Sequence, residues 1–313
     1  MIAHLILCVS SAMSGTYKVT GINLKAMPMG ESDRLLTILT KEQGLMKAIA
    51  MGSRKQNSHL GGRSGLFVIN HLLIAKGRSL DKITQAETIE SFAGLSQDLR
   101  KLTASQYLAE LVLFQALSEQ PQEDLFLLFT NQLQALSQAK SEEILPLLAR
   151  SSFQLLALAG IAPQLHSCCV TQATILPDFE TKNWRVGFSV PAGGVCTLAA
   201  LEQIQPSKKP QPCRFSQPKK GDRGRQSGQA QLTFELTAPE LYALQQLPQV
   251  ELPIGENSPN LMQNFSHKPT TLEDSWLSTE RVLRQYAQYH FDRIIRSAAL
   301  IDACFQSSLL MSP

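Results

Sequence analysis

Short segments of alternating apolar and polar residues occupy the first third of the chain. Such segments predict β-strands at residues 17–27, 34–40, 45–51, 65–75 and 79–89. Short turns separate them, and Gly44 is suited to a positive φ in the second turn. Five short antiparallel strands within 80 residues are typical of the OB-fold, a partly open Greek-key barrel.

After residue 96 the apolar period changes from that of a strand to that of a helix. Leucine stripes predict helices that span about 96–117, 125–136 and 141–159. Ser141 is suited to cap the third of these helices. Gly160 is suited to the left-handed position that follows the end of that helix. The pattern therefore predicts a helical body that follows a β domain.

Residues 164–235 break this helical pattern, because they are rich in Pro, Gly, Cys and short β-like runs. Within them, 207–231 contains seven Lys/Arg and almost no apolar residue, so we predict a flexible basic loop there. Thr237-Ala238-Pro239-Glu240 has the pattern of a capping box that opens a further helix. One long final helix is predicted over 274–303.

The sequence therefore predicts an α+β, multidomain protein. An apolar N-terminal extension is expected to be disordered, with Met13 as the true start. The predicted units are the extension 1–14, the OB domain 15–92, the helical domain 93–163, the subdomain 164–235, and the C-terminal helices 236–313 that complete the helical domain.

Positive charge is concentrated in the OB segment. Residues 15–92 contain eleven Lys/Arg and six Asp/Glu, a balance of +5, in a chain whose net charge is +3. This distribution favours a polyanion as the partner of the barrel, and an ordinary solvated surface is the alternative. The candidate phosphate contacts are Lys18, Lys25, Arg34, Lys47, Arg54, Lys55, Arg63, Lys76 and Arg78.

Motifs of catalysis are missing from the sequence. It has no GxxxxGK[ST] phosphate loop, HExxH helix or GxSxG elbow, and two Ser-x-x-Lys matches lack their companion motifs. We therefore predict a protein that is not an enzyme and that needs no cofactor. Irregularly spaced cysteines favour reduced thiols in a cytoplasm. The apolar run in 1–14 is too short for a membrane helix, so no membrane association is expected.

Cysteines in the 164–235 subdomain suggest a degenerate zinc ribbon. A zinc ribbon needs two Cys-x-x-Cys pairs, whose four thiolates surround one tetrahedral ion. Here Thr171 lies three residues after Cys168, and Ala199 lies three residues after Cys196. Each half-site keeps a single sulfur, although His166 could substitute for a ligand. The pattern favours a subdomain without zinc, in which local packing replaces the ion.

Several of these stretches, taken in order, resemble the RecO family of bacterial recombination mediators. The matching features are a Gly-Glu-Ser step at 30–32, a Thr-x-x-x-Gly hairpin at 40–44, a Gly-x-Arg-Lys-x-x-Ser loop at 52–58, the run Tyr-Leu-Ala-Glu-Leu at 107–111, Gly-Gly-x-Cys at 193–196, and Leu-Arg-Gln-Tyr at 283–286. The resemblance extends from residue 15 to about 303. It implies an OB domain, a helical body and a zinc-ribbon-like piece.

The resemblance also implies a function and partners. RecO proteins bind single- and double-stranded DNA, anneal complementary strands and assist recombinase loading with RecR. A further implied partner is the C-terminal tail of the single-strand binding protein, for which Arg150 is a candidate contact. Two alternatives remain open: another OB-fold nucleic-acid binder associated with RNA, and a non-catalytic adaptor that docks proteins.

Overall fold

A computed structural model describes residues 15–204, 232–249 and 270–306. The predicted extension 1–14 and the predicted basic loop 207–231 lie outside these described residues. The described chain divides into two compact units. The first contains the described residues up to Gln97 together with Ala116–Thr130, and the second contains Asp98–Gln115 and the described residues from Asn131 onward.

Five strands form a barrel in the first unit: β1 (Thr16–Met29), β2 (Asp33–Thr40), β3 (Gly44–Ala50), β4 (Val68–Ala75) and β5 (Asp81–Ser91). Their order round the barrel is β1-β2-β3-β5-β4, and β4 pairs again with β1. All neighbours are antiparallel except β3 and β5, whose parallel contact is limited to two residue pairs. The predicted OB-fold is confirmed, with closure by backbone pairing.

Alternating side chains fill the interior of this barrel. Its core consists of Val19, Leu36, Ile38, Ala48, Ala50, Leu72, Ile74 and Ile83, all at most 5% exposed. Burial of such aliphatic groups stabilises a fold by about 25 cal/mol per Å² of apolar surface removed from water. The period-two pattern of the sequence therefore predicts the interior as well as the strands.

The turn between β2 and β3 packs against residues 116–130. Gly44 has a φ of +64°, as predicted, and a Cβ at this position would lie 2.2 Å from the carbonyl oxygen of Leu117. The Leu45 N–H donates to that oxygen at 2.8 Å, and the Gln122 N–H donates to the Lys41 carbonyl at 2.9 Å. Because of these contacts, 116–130 belongs to the barrel unit, whereas the sequence placed it in a helical domain 93–163.

Seven helices lie in the described residues: α1 (Leu99–Gln115), α2 (Glu123–Gln138), α3 (Ile144–Leu158), α4 (Leu198–Ile204), α5 (Ala238–Gln246), α6 (Thr270–Phe291) and α7 (Ala298–Gln306). In the second unit α3 packs against α1 and α6, α5 packs against α6, and α7 packs against α1. Three short strands, β6 (Val186–Ser189), β7 (Gly194–Cys196) and β8 (Phe234–Leu236), form an antiparallel sheet in the order β7-β6-β8. Among the described helices, none is long and apolar enough to cross a membrane.

Two predicted helix ends are confirmed. The Glu240 N–H donates to the Thr237 hydroxyl at 3.4 Å, and the Thr237 N–H donates to the Glu240 carboxylate at 2.8 Å, which completes a capping box. Gly160 has a φ of +74° beyond the end of α3. The Ile161 N–H donates to the Leu156 carbonyl at 2.9 Å, so the last turn of α3 is closed by a left-handed glycine.

The predicted cap at Ser141 is wrong. Residues Ser141–Glu143 form one turn of 3-10 helix, and α3 begins only at Ile144. The Glu143 carboxylate accepts the Lys140 N–H at 2.7 Å, so the last residue of the turn satisfies this backbone donor. No side chain provides a cap hydrogen bond to α3 itself.

The single final helix predicted over 274–303 is also wrong, because α6 and α7 are separate. Asp292 follows α6 with a φ of +50°, which a continuous helix does not allow. The Glu110 carboxylate, on α1, accepts the N–H of Arg296 at 2.6 Å and that of Ser297 at 3.1 Å. A carboxylate distant in sequence therefore satisfies the free donors at the start of α7, and periodicity alone could not reveal it.

Replacement of Glu110 by Ala should expose the amides of Arg296 and Ser297 to solvent exchange. A hydrogen bond to a charged group contributes about 1.5–3 kcal/mol, so we expect local protection at the start of α7 to fall by about tenfold or more. Amide hydrogen exchange on the full chain measures this directly. Glu180→Ala, at an exposed site in the same unit, is the control. Unchanged protection in Glu110→Ala would contradict the role of the carboxylate.

Candidate nucleic-acid interface

Two lysines flank a threonine on the outer face of β1, β2 and β3. Lys25 on β1 pairs with Thr37 on β2, and Thr37 pairs with Lys47 on β3. Both lysine side chains are exposed. Within the described part of the chain, neither ammonium group has a hydrogen-bond or ion-pair partner. Both charges are therefore available to a phosphate.

An apolar row lies beside these lysines on the same face. Met27 pairs with Leu35, and Leu35 pairs with Ile49. Each of these residues lies two positions along its strand from the lysine or threonine of the first row. Met27 is 46% exposed, and Leu35 and Ile49 are half-buried. An apolar strip beside a row of cations can accept the faces of unstacked bases while the lysines contact the phosphates, as OB-folds do with single strands. We call Lys25, Thr37, Lys47, Met27, Leu35 and Ile49 the outer strip.

A carboxylate close to the outer strip is already engaged. Asp33, at the start of β2, accepts the Gly52 N–H at 2.7 Å and the Ser32 hydroxyl at 2.8 Å. These bonds hold the pKa of Asp33 below its ordinary value, and the larger effect comes from the Gly52 N–H. The charge of Asp33 therefore serves to fix the chain after β3.

Residues 51–67 connect β3 to β4 and carry much of the predicted basic charge. Asn23 and Asn70 are completely buried, and both donate to the Arg63 carbonyl, at 2.8 and 3.0 Å. Asn23 also donates to the Gly65 carbonyl at 2.9 Å. The part of this connection near β4 is thus tied to the barrel by side-chain hydrogen bonds.

Arg34 belongs to the same anchoring network. Its guanidinium donates to the Gly61 carbonyl at 3.1 Å and to the Ser64 hydroxyl at 2.7 Å, and the side chain is half-buried. A guanidinium that is committed to two loop acceptors positions the loop. The structure therefore gives Arg34 a structural role, and its assignment as a phosphate contact is not supported by this geometry.

Exposure and hydrogen bonding differ among the three cations of this connection, which are Arg54, Lys55 and Arg63. Arg54 and Lys55 are exposed at the start of the connection, and Arg54 donates to the Gly30 carbonyl at 2.8 Å. Arg63 is half-buried and donates to the His59 carbonyl at 2.6 Å. The structure thus spreads these three cations along the connection rather than in one cluster.

A groove of about 800 Å³ lies between the β1–β4–β5 side of the barrel and this connection. Its cationic lining comes from Lys18 and Arg63, and its carboxylates come from Glu42 and Glu87. Two carboxylates thus face two cations in this lining, so the groove is a weaker candidate for a polyanion than the outer strip. Lys76 and Arg78 are exposed near the turn between β4 and β5.

The sequence prediction missed Thr37, Met27, Leu35 and Ile49, the uncharged part of the outer strip. Charge alone selected the candidate residues, and these four carry none. A signal did exist, because apolar residues at solvent-facing positions of a strand require a reason. Only the pairing register, however, places the four beside the two lysines.

In the second unit, Arg150 is half-buried on α3. Its assignment as a contact for a protein tail stays a prediction. Cys168 and Cys196 are both buried, Cys196 on β7 and Cys168 in the segment before β6. Thr171 and Ala199, at the other two ribbon positions, are exposed.

Hydrogen bonds engage the sulfurs of these cysteines. The Thr171 N–H donates to the Cys168 sulfur at 3.4 Å. Burial would raise the pKa of Cys168, but hydrogen bonds from Thr171 and nearby N–H groups lower it to about 7. Hydrogen bonding between the Cys169 and Cys196 thiols raises the pKa of Cys196 and lowers that of Cys169. Among the described residues, no group of three or more His, Cys, Asp or Glu could hold a metal.

The fold and this face define an α+β protein that carries an OB-fold domain with a basic, partly apolar outer face. The family model described as "Recombination protein O N terminal" matches residues 13–92, and "Recombination protein O C terminal" matches residues 96–211. The chain belongs to the RecO family.

Curated relatives named DNA repair protein RecO match over nearly their whole length. The protein of Nostoc sp. (strain PCC 7120) is 51% identical over 304 residues, 95% of this chain and 98% of the relative. The protein of Cyanothece sp. (strain PCC 7425) is 52% identical over 297 residues, 94% of this chain and 97% of the relative. That of Synechococcus elongatus is 41% identical over 302 residues, 96% of this chain and all of the relative.

Loss of the Arg34 guanidinium should loosen the connection between β3 and β4. Arg34→Ala removes both bonds to the loop, and we expect trypsin to cut after Arg54, Lys55 or Arg63 about tenfold faster, since 1.4 kcal/mol of local stability corresponds to about that factor. Mass spectrometry of timed digests identifies these sites. Arg78→Ala removes an exposed arginine of the same barrel and serves as control. Loop cleavage at the wild-type rate in Arg34→Ala would show that the connection is held by other contacts.

Proposed function

We propose that this protein is a DNA repair and recombination mediator that binds single- and double-stranded DNA and anneals complementary single strands. Its membership of the RecO family supports this proposal, as do relatives named DNA repair protein RecO. The observation that carries the proposal is the outer strip, where two lysines that have no partner among the described residues lie beside an apolar row.

The proposed mechanism is electrostatic. Lys25 and Lys47 hold one strand by its phosphates, and the remaining exposed cations, among them Lys18, Arg54 and Lys55, hold the second. Neutralisation of both backbones lowers their mutual repulsion, which lets complementary bases pair. No covalent bond is made or broken in this scheme, so the protein acts without catalysis.

Few aromatic side chains support the barrel's proposed contacts with bases. In the first unit's barrel segment, Phe67 and Phe92 are buried and Tyr17 is half-buried. Phosphate contacts should therefore dominate, and binding should be independent of sequence and sensitive to salt. The proposed partners are RecR during recombinase loading and, through Arg150, the C-terminal tail of the single-strand binding protein.

Replacement of Lys25 and Lys47 together by Ala should weaken single-strand binding by about tenfold at low salt. Each phosphate contact contributes about 0.7 to the slope of log K against log salt on single strands, so the slope should fall by roughly 1.4. Fluorescence anisotropy across a salt series measures both quantities. Lys140→Ala/Lys182→Ala removes the same charge from exposed sites of the second unit. An equal effect of that control would refute a specific role for the outer strip.

A strand-annealing assay with labelled complementary oligonucleotides tests the proposed function. It compares the rate of pairing in the presence of the wild type, the Lys25/Lys47 variant and the Lys140/Lys182 control. The wild type and the Lys140/Lys182 control should accelerate pairing, and the Lys25/Lys47 variant should do so less. Preference for matched RNA in competition would favour an RNA-associated OB protein instead. Absence of any acceleration, with RecR binding intact, would favour a protein-docking adaptor.

We also propose that the protein requires no zinc. The support is chemical, because Thr171 and Ala199 stand at two of the four ribbon positions and neither supplies a sulfur ligand. Elemental analysis of the purified full chain should give well under one zinc per chain. A stoichiometric ion that is retained after dialysis against a weak chelator would overturn this proposal.

A further inference from the structure

Cys169 and Cys196 are brought together by backbone pairing between residues 164–169 and β7. The Gln164 N–H donates to the Gly193 carbonyl at 2.8 Å, and the Val195 N–H donates to the Gln164 carbonyl at 2.9 Å. The Cys169 N–H then donates to the Val195 carbonyl at 2.8 Å, which places Cys169 beside the last residues of β7. Three hydrogen bonds thus fix the two chain segments that carry the cysteines.

The two cysteines lie on chain segments that are hydrogen-bonded to each other, and they differ in exposure. Cys196 is completely buried, and hydrogen bonding with Cys169 raises its pKa. Cys169 is half-buried, and its sulfur also lies 3.8 Å from the Gly194 carbonyl. A small oxidant can therefore reach the Cys169 sulfur first, while the Cys196 sulfur is protected by burial. Redox-active pairs have this arrangement of an accessible attacking sulfur and a protected resolving one.

We propose that Cys169 and Cys196 form a reversible disulfide, so that an oxidisable thiol pair lies where a zinc ribbon would hold its ion. The oxidant in this proposal is hydrogen peroxide. The Cys169 sulfur attacks one peroxide oxygen, the O–O bond breaks, and a sulfenic acid forms with release of one water. The Cys196 sulfur then attacks the Cys169 sulfur, and the S–S bond forms as a second water leaves. Two electrons pass from the two sulfurs to the peroxide, and a dithiol returns them.

Cys168 is a less suitable partner for Cys196 because backbone donors already engage its sulfur. It is completely buried, and its sulfur accepts the Thr171 N–H and a hydrogen bond from the Thr197 backbone. Its own N–H donates to the Ala173 carbonyl at 2.8 Å. A Cys168–Cys169 bond would join adjacent residues, whose geometry suits a disulfide poorly.

Peptide mapping of the full chain tests the pair. The reduced protein is titrated with hydrogen peroxide, alkylated, and digested with trypsin, which separates the two cysteines because Lys182 and Arg185 lie between them. We expect the loss of two hydrogen atoms from the intact mass and a linked peptide pair that contains Cys169 and Cys196. Dithiothreitol should restore the reduced mass.

Variants separate this pair from other cysteines. Cys168→Ser and Cys304→Ser should keep the link, and Cys169→Ser should lose it. Cys196→Ser should leave a sulfenic acid at Cys169 that dimedone traps. A link through Cys168, Cys8 or Cys213 in the wild type would overturn the proposal, as would oxidation of Cys169 beyond the sulfenic acid before any link appears. Cys168 and Cys169 share one tryptic peptide, so fragmentation of the linked pair between these two residues assigns the link. This wild-type map decides the question even if a variant fails to fold.

Discussion

The pairing of β1 with two different neighbours is the constraint on which the barrel and its outer strip depend. The first half of β1 pairs with β4 and the second half with β2, and the register shifts between Asn23 and Lys25. Before this bulge Lys18 faces outward and Val19 enters the core, whereas after it Lys25 faces outward and Ala26 packs inward. A bulge inserts one residue, so it changes which parity of the strand faces solvent. Without that change Lys25 and Met27 would be directed into the barrel.

The same bulge also organises the connection between β3 and β4. The buried Asn23 side chain donates to two carbonyls of that connection, and Arg34 reaches it from β2. Basic residues on this barrel therefore divide by their hydrogen bonds into two kinds. Arg34 donates to two acceptors of the connection, whereas neither Lys25 nor Lys47 has a hydrogen-bond or ion-pair partner among the described residues. Charge at a position does not distinguish these roles, because an arginine that satisfies backbone carbonyls and one that awaits a phosphate look alike in a sequence.

Cysteines of the second unit show how a ribbon-like sheet can persist without its full ligand set. Backbone pairing of β6, β7 and β8 holds the sheet, and Phe188 and Val195 are buried within it. Hydrogen bonds engage the nearby sulfurs, since Cys168 accepts the Thr171 N–H and the Cys169 sulfur lies 3.8 Å from the Gly194 carbonyl oxygen. Packing and hydrogen bonds thus hold this sheet in the part of the second unit that the structure describes.

The sequence by itself determined the five strands, the helices of the body, the capping box at Thr237 and the left-handed Gly160, because each depends on periodicity or on the conformational preference of one residue. It could not determine the break between α6 and α7, since the carboxylate that caps α7 comes from Glu110. Nor could it place Met27, Leu35 and Ile49 beside Lys25 and Lys47, since pairing register depends on contacts between strands distant in the chain. Local conformational preferences depend on single residues and their near neighbours, so they can be predicted from the sequence. Caps from distant residues, strand register and the hydrogen bonds that engage some cations and not others depend on the folded chain.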